Sequence, residues 1–251
     1  MNSVQNRLSV EADGGTAVLR FNHPERLNAV TRQTLEQLLL ALDAARDADA
    51  VVLTGTGRAF SAGQDLEELA DLERQPEWDT AEHLGLFQEV TQTLLDHPRP
   101  TVAAVNGVAV GFGAEVALAC DLRIAGDSAR MGFVEVTRGL FQTNGVTWLL
   151  PRLVGHGRAA DLLLTGALID ADTLERWGLV TRRCSDGDLL QHALAVAGTM
   201  AAGSALSRSL VDEALRATWS ASLAEMMQLE VEGMTACLAH GTGAADFLAR
   251  P

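Results

Sequence analysis

Residues Thr101–Gly139 read TVAAVNGVAVGFGAEVALACDLRIAGDSARMGFVEVTRG and decide the fold class. The apolar run Val102–Val105 predicts a buried strand, which breaks at Asn106-Gly107. The segment Gly111-Phe112-Gly113 then leads directly into a helical pattern, and the apolar run Leu122–Ala125 predicts a second buried strand. Strands that alternate with helices in this way predict an α/β fold.

Two glutamates accompany the glycine-rich turn. Glu115 lies in the helical pattern just after it, and Glu135 stands alone among apolar residues after Gly132. The start of a helix offers unpaired backbone N–H groups and the positive end of its dipole. A glutamate within a helix is commonly a solvated surface residue, but a glutamate within an apolar segment is rarer because burying a charge is costly. The stretch therefore predicts a proton-transfer site beside a carbonyl.

The bulk composition excludes several classes of protein. The chain has 251 residues, a net charge of −14 and 47% apolar residues, which suffices for one large domain, alone or with a smaller helical appendage. No basic residues cluster, so the sequence does not favour a nucleic-acid partner. All 19 basic residues are arginine, so no lysine can act as a Schiff-base nucleophile or phosphate anchor.

The cysteines and the apolar runs bear on location and metals. Three widely spaced cysteines fit neither a disulfide framework nor a metal site, and the histidines show no metal spacing either. No apolar run approaches the roughly eighteen residues of a membrane span, and the N-terminal residues lack a signal-peptide core. We therefore expect a cytoplasmic protein with free thiols, no metal and no membrane span.

The N-terminal half continues the alternation of strands and helices. Residues 7–12 and 16–21 flank Asp13-Gly14-Gly15 and predict a β-hairpin. Thr31 is the expected N-cap of the next helix, and residues 50–54 predict a short buried strand. Residues 71–99 are polar and irregular, with a helix that ends near His97-Pro98, and we expect a mobile segment there at the rim of the site.

The C-terminal part becomes helical. Residues 147–154 and 158–165 predict helices broken at Pro151 and at Gly155-His156-Gly157. A short strand is expected near residues 180–184, followed by helices to the end. The interpretation is an α/β core over residues 1–185 and a helical module over residues 186–251. One helical stripe in that module indicates core or a subunit interface; it comprises Leu223, Met226, Met227, Val231, Met234 and Leu238.

Several motifs carry a family resemblance over nearly the whole chain. They are HPERLNAVT at 23–31, VVLTGTGRAFSAGQDLEEL at 51–69, AVNGVAVGFGAEVALACDLRIA at 104–125, MGFVEVTRGL at 131–140 and LLPRLVG at 149–155. Together they resemble the crotonase (enoyl-CoA hydratase/isomerase) superfamily, closest to its enoyl-CoA hydratases. The resemblance implies a spiral of repeated strand–strand–helix units, capped by C-terminal helices that build a homotrimer or a homohexamer. It also implies an acyl-CoA thioester as substrate, with no cofactor beyond the coenzyme A of that substrate.

The resemblance assigns roles to individual positions. The oxyanion hole would be the backbone N–H groups of Gln64 and Phe112, and the catalytic carboxylates would be Glu115, which activates water, and Glu135, which protonates the α-carbon. The positions expected near coenzyme A or the substrate are Arg26, Leu27, Ala62, Gly63, Asp65 and Gly111. For Arg26 a plain surface arginine is an equal alternative, and Asp65 also fits the N-cap of the following helix.

Two departures from the family pattern keep alternatives open. Phe112 stands where the family usually has glycine, so its ring must point away from the acyl group or form a wall of the acyl pocket. After Gly139-Leu140 the family typically continues Pro-Gly-Ala-Gly-Gly-Thr, whereas this chain has Phe141-Gln142-Thr143-Asn144-Gly145-Val146-Thr147. We take Phe141, Gln142 and Thr143 as candidates for the acyl pocket.

The leading hypothesis is reversible hydration of a 2-enoyl-CoA through an oxyanion-stabilised thioester enolate. A double-bond isomerase that needs only one carboxylate is the first alternative. The altered loop over residues 141–146 also allows a specialised biosynthetic dehydratase or thioester hydrolase. A non-catalytic, RNA-binding member of the superfamily is the alternative that the lysine-free, acidic composition disfavours.

Overall fold

Apolar strands and amphipathic helices alternate along the chain, as the sequence predicts. The computed structural model describes residues 6–240. Its strands are β1 (Leu8–Asp13), β2 (Thr16–Phe21), β3 (Ala50–Gly55), β4 (Ala59–Ser61), β5 (Thr101–Val105), β6 (Val108–Val110), β7 (Leu122–Gly126), β8 (Arg130–Gly132), β9 (Leu168–Asp170) and β10 (Arg182–Cys184). The helices α1 to α5 span Arg32–Ala44, Leu66–Leu72, Thr80–Leu95, Phe112–Ala119 and Val146–Val154. The helices α6 to α10 span His156–Thr165, Ala171–Trp177, Leu189–Ala201, Ala205–Ala217 and Leu223–Ala239.

The strands form two sheets in a repeating order. The six-stranded sheet has the order β1-β2-β3-β5-β7-β10, and the four-stranded sheet has the order β4-β6-β8-β9. In three successive repeats a long strand joins the larger sheet and the short strand after it joins the smaller one. The long strands β3, β5 and β7 pair in parallel, and so do the short strands β4, β6 and β8. This arrangement confirms the predicted spiral of strand–strand–helix units.

The central strands and helix α4 form the core. β3 and β5 are buried along their whole length, as the unbroken apolar runs of parallel strands predict. All eight residues of α4 are buried, Glu115 among them. The turn that joins β4 to α2 and the turn that joins β6 to α4 lie against each other beside this core.

Local signals in the sequence account for several element boundaries. β1 and β2 pair antiparallel from Leu8 opposite Phe21 to Asp13 opposite Thr16, which confirms the hairpin. Thr31 caps α1 in a reciprocal arrangement with Thr34, and Asp65 caps α2 by accepting hydrogen bonds from the Glu67 and Glu68 N–H groups.

Two expectations about the helices were wrong. Residues 71–99 are less irregular than expected, because α3 occupies Thr80–Leu95 and buries one face. The helix expected to end near His97-Pro98 is confirmed. Its buried residues recur at helical spacing, a pattern that the polar composition of the other face masked; they are His83, Phe87, Val90, Thr91 and Leu94.

The helix α5 also differs from expectation, since it runs through Pro151 without a break. Proline lacks the N–H that would bond to the Thr147 carbonyl, and its ring crowds that carbonyl, but its fixed φ is helical and α5 continues. The helix ends at Gly155, whose N–H donates to the Pro151 carbonyl at 2.9 Å.

The chain divides into two compact units, Met1–Gly198 and Thr199–Pro251. The helix α8 buries Leu189, Ala193, Val196 and Ala197, and the predicted domain boundary at residues 185/186 stays a prediction. No single helix among residues 6–240 is long and apolar enough to span a membrane, and only α8 and α9 taken together reach that length and composition.

The second unit exposes the predicted methionine stripe. On α10 the side chains of Leu223, Met227, Val231, Met234 and Leu238 are all exposed. The core interpretation of this stripe is therefore wrong, and the subunit-interface interpretation stays a prediction.

Gly113 should be indispensable for packing. A Cβ at this position would lie 2.2 Å from the Ser61 carbonyl oxygen, so Gly113→Ala must push α4 away from β4. We expect a loss of about 1–3 kcal/mol in the free energy of unfolding, as for other overpacked cores. Gly198→Ala is the control, because a Cβ at this helix position meets nothing within 4 Å. Denaturant unfolding in which both variants match the wild type would contradict the packing.

Candidate active site

Two glycine turns meet at the start of α4. The N–H groups of Ala62 and Asp65 donate to the Leu27 and Val30 carbonyls, each at 2.9 Å, which holds the first turn on either side of Gln64. The φ of Gly63 is +83°, a conformation that glycine adopts without strain. A Cβ on Gly63 would lie 3.3 Å from the Phe112 nitrogen, so a side chain there would separate the two turns.

Each turn presents one backbone donor. Phe112 is the first residue of α4, where an N–H group has no acceptor within the helix. Within residues 6–240, neither its N–H nor that of Gln64 makes a hydrogen bond. Gly111, with φ +54°, joins β6 to α4. A helix N-terminus with free N–H groups favours a negatively charged oxygen.

These turns line a cavity of about 270 Å³. Most of the predicted site residues share it; they are Ala62, Gly63, Gln64, Gly111, Phe112, Glu115, Glu135, Phe141 and Thr143. Arg26, Leu27, Asp65 and Gln142 do not line it. Phe141 is 74% exposed, which places its ring at the rim of the cavity.

The residues outside the cavity have other contacts. Arg26 forms an exposed ion pair with Glu67 on α2, and Leu27 has a left-handed backbone with φ 53°. Asp65 caps α2, as the alternative for this residue predicted. The coenzyme A contacts of all three therefore stay predictions.

Glu115 is a buried carboxylate, and one of its two oxygens accepts a hydrogen bond. The residue is 2% exposed, and its Oε2 accepts a hydrogen bond of 2.5 Å from Asn144 Nδ2. Its Oε1 is buried and makes no hydrogen bond within the described residues. Burial raises the pKa of Glu115 to about 7, which the Asn144 amide opposes and the neighbouring Glu135 reinforces. Such a group can exchange a proton near neutral pH.

Glu135 opens a short 3₁₀ turn, Glu135–Arg138, that follows β8. A Cβ on Gly111 would lie 3.0 Å from Glu135 Oε1, so this carboxylate stands beside the second glycine turn. Its Oε2 is buried without a hydrogen bond to any described residue. Burial also raises the pKa of Glu135, against the opposing effects of its own backbone N–H, Arg138 and Gln142.

Phe112, which stands where the family usually has glycine, forms a wall of the cavity. The Phe112 ring is 4% exposed and meets the Phe87 ring edge to face, with centroids 4.9 Å apart. The side chain thus lines the cavity and leaves the N–H of residue 112 in place. Of the two orientations expected for this ring, the structure shows the wall.

Sequence reasoning missed His83. Its Nε2 lies 2.6 Å from the Gln64 side-chain nitrogen, and its ring packs between Trp78 and Phe87. Burial lowers the pKa of His83, with the charge of Arg32 acting in the same direction, which favours a neutral ring that accepts from the Gln64 amide. The four-residue spacing from His83 to Phe87 was the available signal, because it places both on one helix face.

Sequence reasoning also missed Asn144. This residue lies in the altered loop before α5 and is 2% exposed. Its contact with Glu115 joins residues 29 positions apart, so no local pattern could reveal it. Among residues 6–240 no group of three or more histidine, cysteine or acidic side chains could hold a metal ion.

Comparison with known proteins gives a consistent result. The enoyl-CoA hydratase/isomerase family model matches residues 11–247. A putative enoyl-CoA hydratase of Thermus thermophilus is 43% identical over 210 residues, covering 81% of each chain. A 4-chlorobenzoyl coenzyme A dehalogenase of Arthrobacter is 34% identical over 240 residues, covering 93% of this chain and 86% of the relative. The crystal structure of an enoyl-CoA hydratase from Polaromonas matches with a TM-score of 0.91 and 31% identity over 96% of each chain.

Glu115 should make the protein less stable as pH rises. Because burial lifts its pKa from 4.5 to about 7, the folded state holds a proton that the unfolded state releases, and stability falls between these pH values. Glu115→Gln should therefore raise the free energy of unfolding at pH 8 by up to about 3 kcal/mol relative to the wild type. The gain should be much smaller at pH 4. Equal differences in urea unfolding at both pH values would contradict the shifted pKa.

Proposed function

The chain belongs to the enoyl-CoA hydratase/isomerase family, and we propose that it is an acyl-CoA enzyme that adds water reversibly to a 2-enoyl-CoA thioester. The observation that carries the proposal is the shared cavity. It joins the free N–H groups of Gln64 and Phe112 to the buried Glu115 and the half-buried Glu135, each with a buried oxygen that makes no hydrogen bond within residues 6–240.

The two N–H groups act on the thioester oxygen. When water adds to the β-carbon, electrons move through the double bond to that oxygen and produce an enolate. Donors that are already in place stabilise this developing charge without reorganisation. They act from the backbone, so the small residues Ala62, Gly63 and Gly111 leave room for the thioester.

Glu115 and Glu135 each carry out one of the two proton transfers. Glu115, ionised, takes a proton from water on its free Oε1 as the water oxygen bonds to the β-carbon. Glu135, protonated, then gives its proton to the α-carbon as the enolate collapses to the thioester. The cycle leaves Glu115 protonated and Glu135 ionised, so a proton must return through solvent before the next turnover. Raised pKa values suit both roles near neutral pH.

The proposal extends to cofactor, assembly and location. The acid, the base and the oxyanion donors suffice for hydration, so coenzyme A enters only as part of the substrate. The exposed apolar stripe on α10 supports a homotrimer or homohexamer built through the helical module. Cys120 and Cys184 are free thiols, which supports a reducing compartment, the cytoplasm.

An assay with crotonyl-CoA and longer 2-enoyl-CoA esters tests the function. Hydration removes the conjugated double bond, so the ultraviolet absorbance of the enoyl thioester should fall and a 3-hydroxyacyl-CoA should appear. The isomerase alternative predicts the reverse pattern. If no 2-enoyl-CoA is hydrated while a 3-enoyl-CoA is converted to its 2-enoyl isomer, the hydratase proposal fails.

Glu135→Gln should lower kcat by about 10²–10⁴-fold, because the amide cannot deliver a proton in the transition state. KM should change little, since the substitution keeps the shape and polarity of the side chain. Glu89→Gln, an exposed change on α3, is the matched control. Steady-state kinetics with kcat equal to that of the wild type would remove Glu135 from the mechanism.

A further inference from the structure

Asn144 occupies an unusual place for an amide side chain. It lies between the turn that carries Glu135 and the start of α5, in the loop where the sequence departs from the family pattern. The side chain is buried and lines the same cavity as Glu115. An amide at such a position must find hydrogen-bonding partners, because burying unpaired polar groups is costly.

The amide makes one contact and leaves one oxygen free. Its Nδ2 donates to Glu115 Oε2 at 2.5 Å, and such a hydrogen bond is strongest when the carboxylate is ionised. Its Oδ1 is buried without a hydrogen bond to any described residue, as is Glu115 Oε1. The Asn144 amide therefore serves Glu115 and no other described side chain.

The Asn144 side-chain donor on Oε2 orients the Glu115 carboxylate. With Oε2 committed to Asn144, rotation of the carboxyl group would break a buried hydrogen bond, which costs about 1–3 kcal/mol. The two oxygens of Glu115 thereby become inequivalent. Oε2 is held by its hydrogen bond to Asn144, and Oε1 is available to take a proton from water.

The loop that carries Asn144 is itself anchored. Gln88 on α3 donates from its side-chain nitrogen to the Thr143 carbonyl at 2.8 Å. The N–H groups of Thr143 and Asn144 also favour the ionised form of Glu115 and lower its pKa. Side chain and backbone of this loop thus act on the same carboxylate.

We propose that Asn144 is a positioning residue for Glu115, holding Oε2 so that Oε1 is the oxygen that takes the proton from water. The assignment rests on the proposed hydration. It gives the altered loop a function in the reaction, because the Asn144 amide orients the carboxylate of Glu115, the proposed base. Asn144 itself forms and breaks no bond in the reaction.

The variants Asn144→Ala and Asn144→Asp test this assignment. The first removes the donor, and the second replaces it with an acceptor of nearly the same size, so it remains informative if the smaller side chain impairs folding. Loss of orientation should lower kcat by about 10–100-fold with KM nearly unchanged. Gln88→Ala is the control, because it loosens the same loop without removing the donor to Glu115.

A pH profile separates positioning from a structural role. Removing a donor that favours the ionised form raises the pKa of Glu115, so the acidic limb of kcat/KM should move to higher pH in Asn144→Ala. Gln88→Ala should leave that limb in place. The other ionisable groups lining the cavity, unchanged in these variants, are Glu73, His83, Glu135 and Arg138.

A direct titration makes the result independent of the reaction. Carbon-13 NMR of labelled glutamate carboxyl groups, with the Glu115 signal assigned through Glu115→Gln, should show a higher Glu115 pKa in Asn144→Ala than in the wild type. If wild-type enzyme hydrates no 2-enoyl-CoA but the pKa still rises, the hydration proposal fails and the Asn144–Glu115 contact stands. An unchanged pKa together with kcat within about twofold of wild type would overturn the assignment.

Discussion

Everything at the site depends on shielding two carboxylates from water, Glu115 fully and Glu135 in part. Glu115 belongs to a helix whose eight residues are all buried, and Glu135 follows a short strand at the edge of the same cavity. Burial opposes the charged form of both groups and raises the pKa of both. The fold bears this cost because the same desolvation makes the free N–H groups of Gln64 and Phe112 stronger partners for an enolate oxygen.

Helix α3 connects three walls of the cavity. His83 contacts the Gln64 side chain in the first glycine turn, and Phe87 packs against Phe112 in the second. Gln88 holds the Thr143 carbonyl in the loop beside Glu115. One face and edge of a single helix thus touch both glycine turns and the loop that carries Asn144. The segment lines the cavity, and its expected mobility stays a prediction.

Repetitive and local features could be predicted from the sequence. Unbroken apolar runs identified β3, β5 and β7, and capping residues identified the starts of α1 and α2. Strands of three residues, such as β6 and β8, carry too few side chains for periodicity to show. Gly111, Phe112 and Glu115 fall within one short stretch, so their proximity followed from the motif. Asn144 and His83 reach the site through contacts between distant parts of the chain, which only the fold reveals.

The central claim is that two backbone N–H groups polarise the thioester carbonyl. Raman difference spectroscopy on a bound 2-enoyl-CoA, labelled with carbon-13 at the thioester carbonyl, measures this polarisation directly. The variant with both Glu115→Gln and Glu135→Gln would hold the substrate without converting it. The account predicts a carbonyl stretch at lower frequency in the complex than in solution, because hydrogen bonds from Gln64 and Phe112 weaken the C=O bond. An unchanged frequency in a saturated complex would contradict it.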